Sequence, residues 1–262
     1  DEFQRDFVKG GLTFGSYNMS QLQLSTGIKK KFGTLSVHAT RTKTDGYRQQ
    51  SGYENNNFQL RYHGQLSEKS KLVLRVSYND SPLAEDAGGL TLEEVNEDRK
   101  QARTRNVDFK TGEQIDQFKS GLNFSYQWNA NTLNTYAFFA TRNFEGLLPF
   151  EYGGWVDLER KYVGIGSNLA LKSSKKNLTN KLMFGYDLAF QRDNRQRFLN
   201  MSGEKGIKTL GQLERFNNLG LYVLNHLELG KFLFQAGLRF DKNELKAEDS
   251  FLSNGDQSGA VN

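Results

Sequence analysis

The stretch Gly121–Asn129, "GLNFSYQWN", alternates without a break. Leu122, Phe124, Tyr126 and Trp128 fall on one side; Gly121, Asn123, Ser125, Gln127 and Asn129 fall on the other. A strand points successive side chains to opposite faces, so this segment makes one oily face and one wet face. The pattern recurs along the chain. Leu22, Leu24, Thr26 and Ile28 alternate with Gln21, Gln23, Ser25 and Gly27. Leu72, Leu74, Val76 and Tyr78 alternate with Val73, Arg75 and Ser77. Leu182, Phe184, Tyr186, Leu188 and Phe190 oppose Lys181, Gly185, Asp187 and Gln191; Phe232, Phe234, Ala236, Leu238 and Phe240 oppose Gln235, Gly237, Arg239 and Asp241. About eleven such segments occur, with almost no helical periodicity.

Their length separates them from the strands of an ordinary sandwich. They run to about 9–16 residues, where about 5–6 is usual. Ten residues at ~3.3 Å each and a tilt near 45° cover about 23 Å of height, which matches the apolar band of an outer-membrane barrel. Aromatics gather near segment ends, at Tyr126, Trp128, Phe144, Trp155, Phe190 and Phe240, as they do at membrane–water boundaries. The connections alternate as well. Tight ones fall at "KKFGT", "LSEKSK", "WNANT", "KSSKKN" and "ELGKF". Between them come longer ones: "TDGYRQQSGYE", then residues 80–112, 146–155 and 193–212. Short turns on one rim and long loops on the other are the habit of transmembrane barrels.

Composition agrees. The chain has 262 residues, a mean hydropathy of −0.69 and 25% charged residues, yet 13% are aromatic. A barrel with a polar lumen and an oily exterior reconciles these values. Only 2 prolines interrupt the 262 residues, which permits long strands. No cysteine is present, which excludes a disulfide scaffold, a zinc–thiolate site and a cysteine nucleophile. His38, His63 and His226 share no metal-ligand spacing, so no metal site or cofactor is expected. The net charge of +5 comes from basic residues spread along the chain and balanced by 30 acids, and nucleic acid is not expected as a partner. No nucleophile–base arrangement or phosphate loop is present, so no catalytic residue is assigned. The sequence therefore predicts an all-β fold: an antiparallel transmembrane β-barrel in the outer membrane. A passive porin and a soluble carbohydrate-binding β-protein are the alternatives.

One segment carries a helix signal. In "GGLTLEEVNEDRKQAR", Thr91 and Glu94 form a capping box, and acids precede the basic Arg99, Lys100 and Arg103. Gly88-Gly89-Leu90-Thr91 followed by Asp98-Arg99 resembles the third extracellular loop of TonB-dependent outer-membrane receptors, in particular their ferric dicitrate and siderophore branch. "TDGYR", Thr44 to Arg48, resembles the second loop of that family, and "YVLNHLELGKFLFQAGLRFD" its tenth strand, fifth periplasmic turn and eleventh strand.

The resemblance covers essentially residues 1–262 and implies about 11 strands of a 22-stranded barrel. The plug, the TonB-contacting segment and the closing strands would then lie outside this chain. It implies import of a ferric chelate, ferric citrate or another siderophore, powered by the TonB complex and carried out in outer-membrane lipid. In the dicitrate branch, arginines at the outer ends of strands 7 and 8 clasp the ligand. "ATRNF" puts Arg142 at the end of strand 7, with x and Arg in the reverse of the family order; "ERKYVGIG" puts Arg160 at the start of strand 8. The plain alternative is that each is a rim or lumenal charge paired with an acid. A third basic contact is expected on the fifth loop from Arg192, Arg195, Arg197 or Arg215, with no way to choose among them. Asp187 and Gln191 are expected to face plug or water. Phe150, Tyr152 and Trp155 are expected to anchor the fourth loop at the interface.

Overall fold

The computed structural model describes residues 3–261. They form one antiparallel sheet of twelve strands in which every strand pairs with its sequence neighbours. The strands are β1 (Phe7–Gly15), β2 (Met19–Lys30), β3 (Gly33–Thr44), β4 (Tyr53–Ser67), β5 (Ser70–Glu85) and β6 (Gly112–Trp128). They continue as β7 (Asn131–Leu147), β8 (Trp155–Lys175), β9 (Leu178–Asn200), β10 (Lys205–Leu229), β11 (Phe232–Asp249) and β12 (Gly259–Val261). Two short helices, α1 (Leu92–Glu97) and α2 (Thr104–Asp108), lie between β5 and β6.

The five expected tight turns are all present on one rim, as the two-residue links 31–32, 68–69, 129–130, 176–177 and 230–231. Asn129 and Gly230 open theirs in the left-handed region, at φ 50° and 57°, which both residue types accept readily. The opposite rim carries 16–18, 45–52, 86–111, 148–154 and 201–204.

The last of these is much shorter than expected. Residues 193–212 are not a loop: β9 runs on to Asn200 and β10 begins at Lys205. Met201 and Glu204 exchange both backbone hydrogen bonds, at 2.8 and 3.1 Å, around Ser202 and Gly203 at φ 52° and 84°. That is the geometry of a two-residue hairpin with positive φ at both centres. Strands reach 25 residues in β10, well beyond the expected upper length. Beyond β11, the C-terminal segment contributes β12, which pairs with β11 through Ala247 and Gly259.

Sheet faces follow the sequence alternation. Leu122, Phe184, Phe190, Val163, Leu238 and Phe240 are exposed, the last two at 77% and 60%. Phe124 and Leu182 are half-buried. The buried hydrophobic residues among those described are Ala87, Ala102, Val156, Ala170 and Ala189. The oily faces thus do not close around an interior. A soluble sheet of this size would hide them, because each large apolar side chain left in water forgoes about 1.5–3 kcal/mol.

On the polar face, side chains bond across strands. Asn79 Nδ2 donates to Asn57 Oδ1 at 2.8 Å, Asn134 to Asn168 at 3.1 Å and Asn218 to Asn243 at 2.7 Å. Tyr136 and Phe138 lie over glycines on the next strand: a Cβ at Gly166 or Gly164 would come within 2.4 Å of the respective ring.

Candidate functional site

Arg142 and Arg160 are direct register partners across β7 and β8, so their side chains leave the same face of the sheet side by side. The row they occupy is polar across nine strands. In register it reads Gln23, Thr40, Asn57, Asn79, Gln117, Arg142, Arg160, Asp193 and Glu214. Tyr136 and Phe138 share the face of Arg142, as the strand period requires.

The two arginines have different partners. Arg160 Nε donates to Asp193 Oδ1 and Oδ2 at 2.9 and 3.1 Å, and its Nη2 donates to Oδ2 at 2.5 Å. Asp193 is 1% exposed and also accepts from Gln191 Nε2 at 3.1 Å. The plain alternative therefore describes Arg160 in part: it is a charge on the polar face held by an acid. Arg142 is different. Its guanidinium sits 5.4 Å from the centre of the Phe144 ring, its Nε is buried without a hydrogen-bond partner, and among the described residues it forms no ion pair. Like charges directly opposite one another on neighbouring strands repel. Asp193 offsets that repulsion for Arg160, and among the described residues no acid pairs with Arg142 in the same way.

Register sorts the four arginines of the expected fifth loop, which are all strand residues. Arg195 and Arg197 leave the face of Asp193; Arg192 and Arg215 leave the opposite, oily face, where they are register partners. Arg195 is ion-paired to Glu214 at 2.7 Å. Asp187 and Gln191 lie on the polar face as expected. Asp187 accepts from Tyr136 Oη at 2.8 Å and from Arg239 Nη1 at 2.8 Å. Phe150 and Tyr152 are exposed in the link 148–154, and Trp155 opens β8.

The outer links are fastened to one another by residues that spacing could not single out. Arg48, in the "TDGYR" motif, donates to the backbone carbonyls of Gln101, Gly88 and Ala87 at 2.9, 2.6 and 3.2 Å. The two loop motifs read from the sequence are thus in contact. Asn200 is fully buried. Its Nδ2 donates to Phe109 and Leu148 carbonyls at 2.9 and 3.1 Å, and its Oδ1 accepts from Gly203 N at 2.7 Å. One asparagine thereby joins three outer links.

The capping box exists: Glu94 N donates to Thr91 Oγ1 at 3.3 Å and Thr91 N to Glu94 Oε2 at 2.7 Å. Thr91 holds the Glu94 carboxyl below its usual range, its backbone N–H first and its hydroxyl second. The helix is short, as the segment's helix signal implied. It stops at Glu97, so Arg99, Lys100 and Arg103 lie outside it.

No family model matches the sequence. Solved structures do match. The unliganded ferric citrate transporter FecA superposes with a TM-score of 0.79 at 17% identity, over 97% of this chain and 39% of that one. The ferric-catecholate import receptor Fiu of E. coli K12, in its open form, gives 0.76 at 11% identity, over 99% and 48%. The siderophore receptor PiuA of Acinetobacter baumannii gives 0.73 at 11% identity, over 98% and 45%. The chain spans less than half the length of each of these receptors. Its fold is that of part of the β-barrel of these iron-chelate receptors.

Proposed function

We propose that this chain is the N-terminal half of the barrel of a TonB-dependent outer-membrane receptor that imports a ferric chelate, ferric citrate or another siderophore. Arg142 and Arg160 contact the chelate from the lumenal wall. The reading rests above all on the unpaired guanidinium of Arg142, placed directly opposite Arg160. Iron(III) complexes of citrate are anionic, and guanidinium groups bind carboxylates through paired N–H donors while keeping their charge. An anion between the two arginines would relieve their mutual repulsion. Arg160 spends Nε and Nη2 on Asp193, so its remaining edge is directed by that bond. Energy would come from the TonB complex through a segment outside this chain, and lipid would cover the oily face.

The test is ferric citrate binding by the full-length receptor, followed by calorimetry, with Arg142→Ala and Arg160→Ala. Loss of a charge-assisted contact worth about 1.5–3 kcal/mol weakens binding by about 10- to 150-fold. Affinity unchanged in both variants removes the site assignment.

A further inference from the structure

On the oily face, just above the apolar band, Lys161, Arg192, Arg215 and Lys246 are consecutive register partners across β8, β9, β10 and β11. The four cations sit in one line, about 14 Å long at the usual ~4.8 Å strand spacing. Directly below Lys161 and Arg192 on the same face lie Val163 and Phe190, both exposed, and below Arg215 and Lys246 lie Asn217 and Glu244. The same register line on the other side of β8 is uncharged, passing through Thr141, Phe118 and Tyr78.

Four like charges in register are self-repelling, and the protein offsets them only in part. Glu248 pairs with Arg215 at 3.2 Å and with Lys246 at 2.8 Å. Glu159 stands one position above Lys161 on its strand face, and Glu244 accepts from Asn217 below the line. Among the described residues Lys161 and Arg192 form no ion pair, and both are exposed.

We propose that this line of cations is a docking site for the phosphate-bearing headgroup of an anionic lipid, whose acyl chains lie on the apolar band beneath it. Position selects a lipid over a soluble anion. The site opens outward, away from the lumen, and is continuous with the surface that meets hydrocarbon. Arginine forks and lysine ammonium groups are suited to phosphate oxygens, and each basic residue at a membrane surface contributes about 1 kcal/mol toward anionic lipid. The assignment requires the barrel to sit in a bilayer and is independent of Arg142 and Arg160.

The experiment uses full-length protein in detergent, with retained lipid measured by native mass spectrometry after mixing with phosphatidic acid or with diacylglycerol, which lacks the phosphate. The parent retains phosphatidic acid and not diacylglycerol. Lys161→Gln with Arg192→Gln lowers that retention by about 30-fold, the value for two charges at about 1 kcal/mol each. Lys161→Arg with Arg192→Lys preserves it. Lys119→Gln with Arg75→Gln, an equal charge change on the lumenal face, leaves it at the parent level. Retention unchanged in the Lys161→Gln, Arg192→Gln variant overturns the proposal. So does equal loss in the lumenal control, or displacement of the lipid by inorganic phosphate alone, which would make this a free-phosphate site. Ferric citrate binding, measured in parallel, stays at the parent level in the Lys161→Gln, Arg192→Gln variant, so this proposal and the chelate site fail separately.

Discussion

Arg160 and Asp193 are register partners on β8 and β9 and are also joined by three hydrogen bonds, with the carboxylate almost wholly buried. The pair keeps two adjacent arginines from destabilising the wall. Asp193→Ala would leave Arg160 facing Arg142 without its hydrogen-bonded counter-charge, with the more distant Glu214 as the remaining acid acting on it. Breaking a buried pair costs about 3–5 kcal/mol, and partial solvent access to Arg160 places this case near the lower end. Urea unfolding of the full-length protein in detergent measures it. A loss under about 1 kcal/mol would mean that the pair carries little of the stability assigned to it.

Asn200→Ala should loosen three outer links together. The substitution strands the carbonyls of Phe109 and Leu148 and the N–H of Gly203. Each buried group left unsatisfied costs about 1–3 kcal/mol, less where water enters. Amide exchange should accelerate in 86–111, 148–154 and 201–204 at once, while the far-rim turns stay unchanged. Faster exchange confined to 201–204 would show that Asn200 joins nothing beyond its own hairpin.

Arg48→Ala tests whether the second and third loop motifs stabilise each other. Three carbonyls lose a charged donor, for a local loss of about 1.5–3 kcal/mol. Limited proteolysis should then cut within 86–111 faster, with little change in global unfolding. Equal cleavage rates in parent and variant would contradict the coupling.

The capping box gives a pH dependence of defined sign. Glu94 is held below its usual carboxyl value by Thr91. Its stabilisation of α1 is therefore fully present above the unfolded-state value near 4.5 and is lost as pH falls through the lowered folded value. Protection of the α1 amides, read by NMR as each exchange rate relative to its intrinsic rate at that pH, should fall as the solution is acidified through that window. Glu94→Gln keeps a side-chain acceptor and should remove the dependence. A profile that is flat in the parent would refute the assignment.

Much of the wall was legible because its signals are local. Alternation at Leu122, Phe124, Tyr126 and Trp128 is visible within nine residues, and each tight turn announces itself in four or five. The Thr91–Glu94 box spans four. The length of β9 was hidden for a physical reason. In "RDNRQR" both faces are polar, because the strand has risen past the apolar band, so alternation vanishes while the backbone pairing continues. The signal that could have exposed it is Ser202-Gly203, a dipeptide suited to a tight hairpin. Basic residues after an acidic turn suit a helix dipole but do not compel the backbone to continue, and α1 stops at Glu97.

By itself the sequence determined which side chains share a face and where the chain must turn tightly, since a strand has a period of two and turns depend on a few adjacent residues. Tertiary pairing alone decided that Arg160 meets Asp193, that Arg142 forms no ion pair among the described residues, and that Lys161, Arg192, Arg215 and Lys246 form a line. Those partners are set by the register between strands far apart in the chain. A one-residue slip would send every one of these charges to the other face.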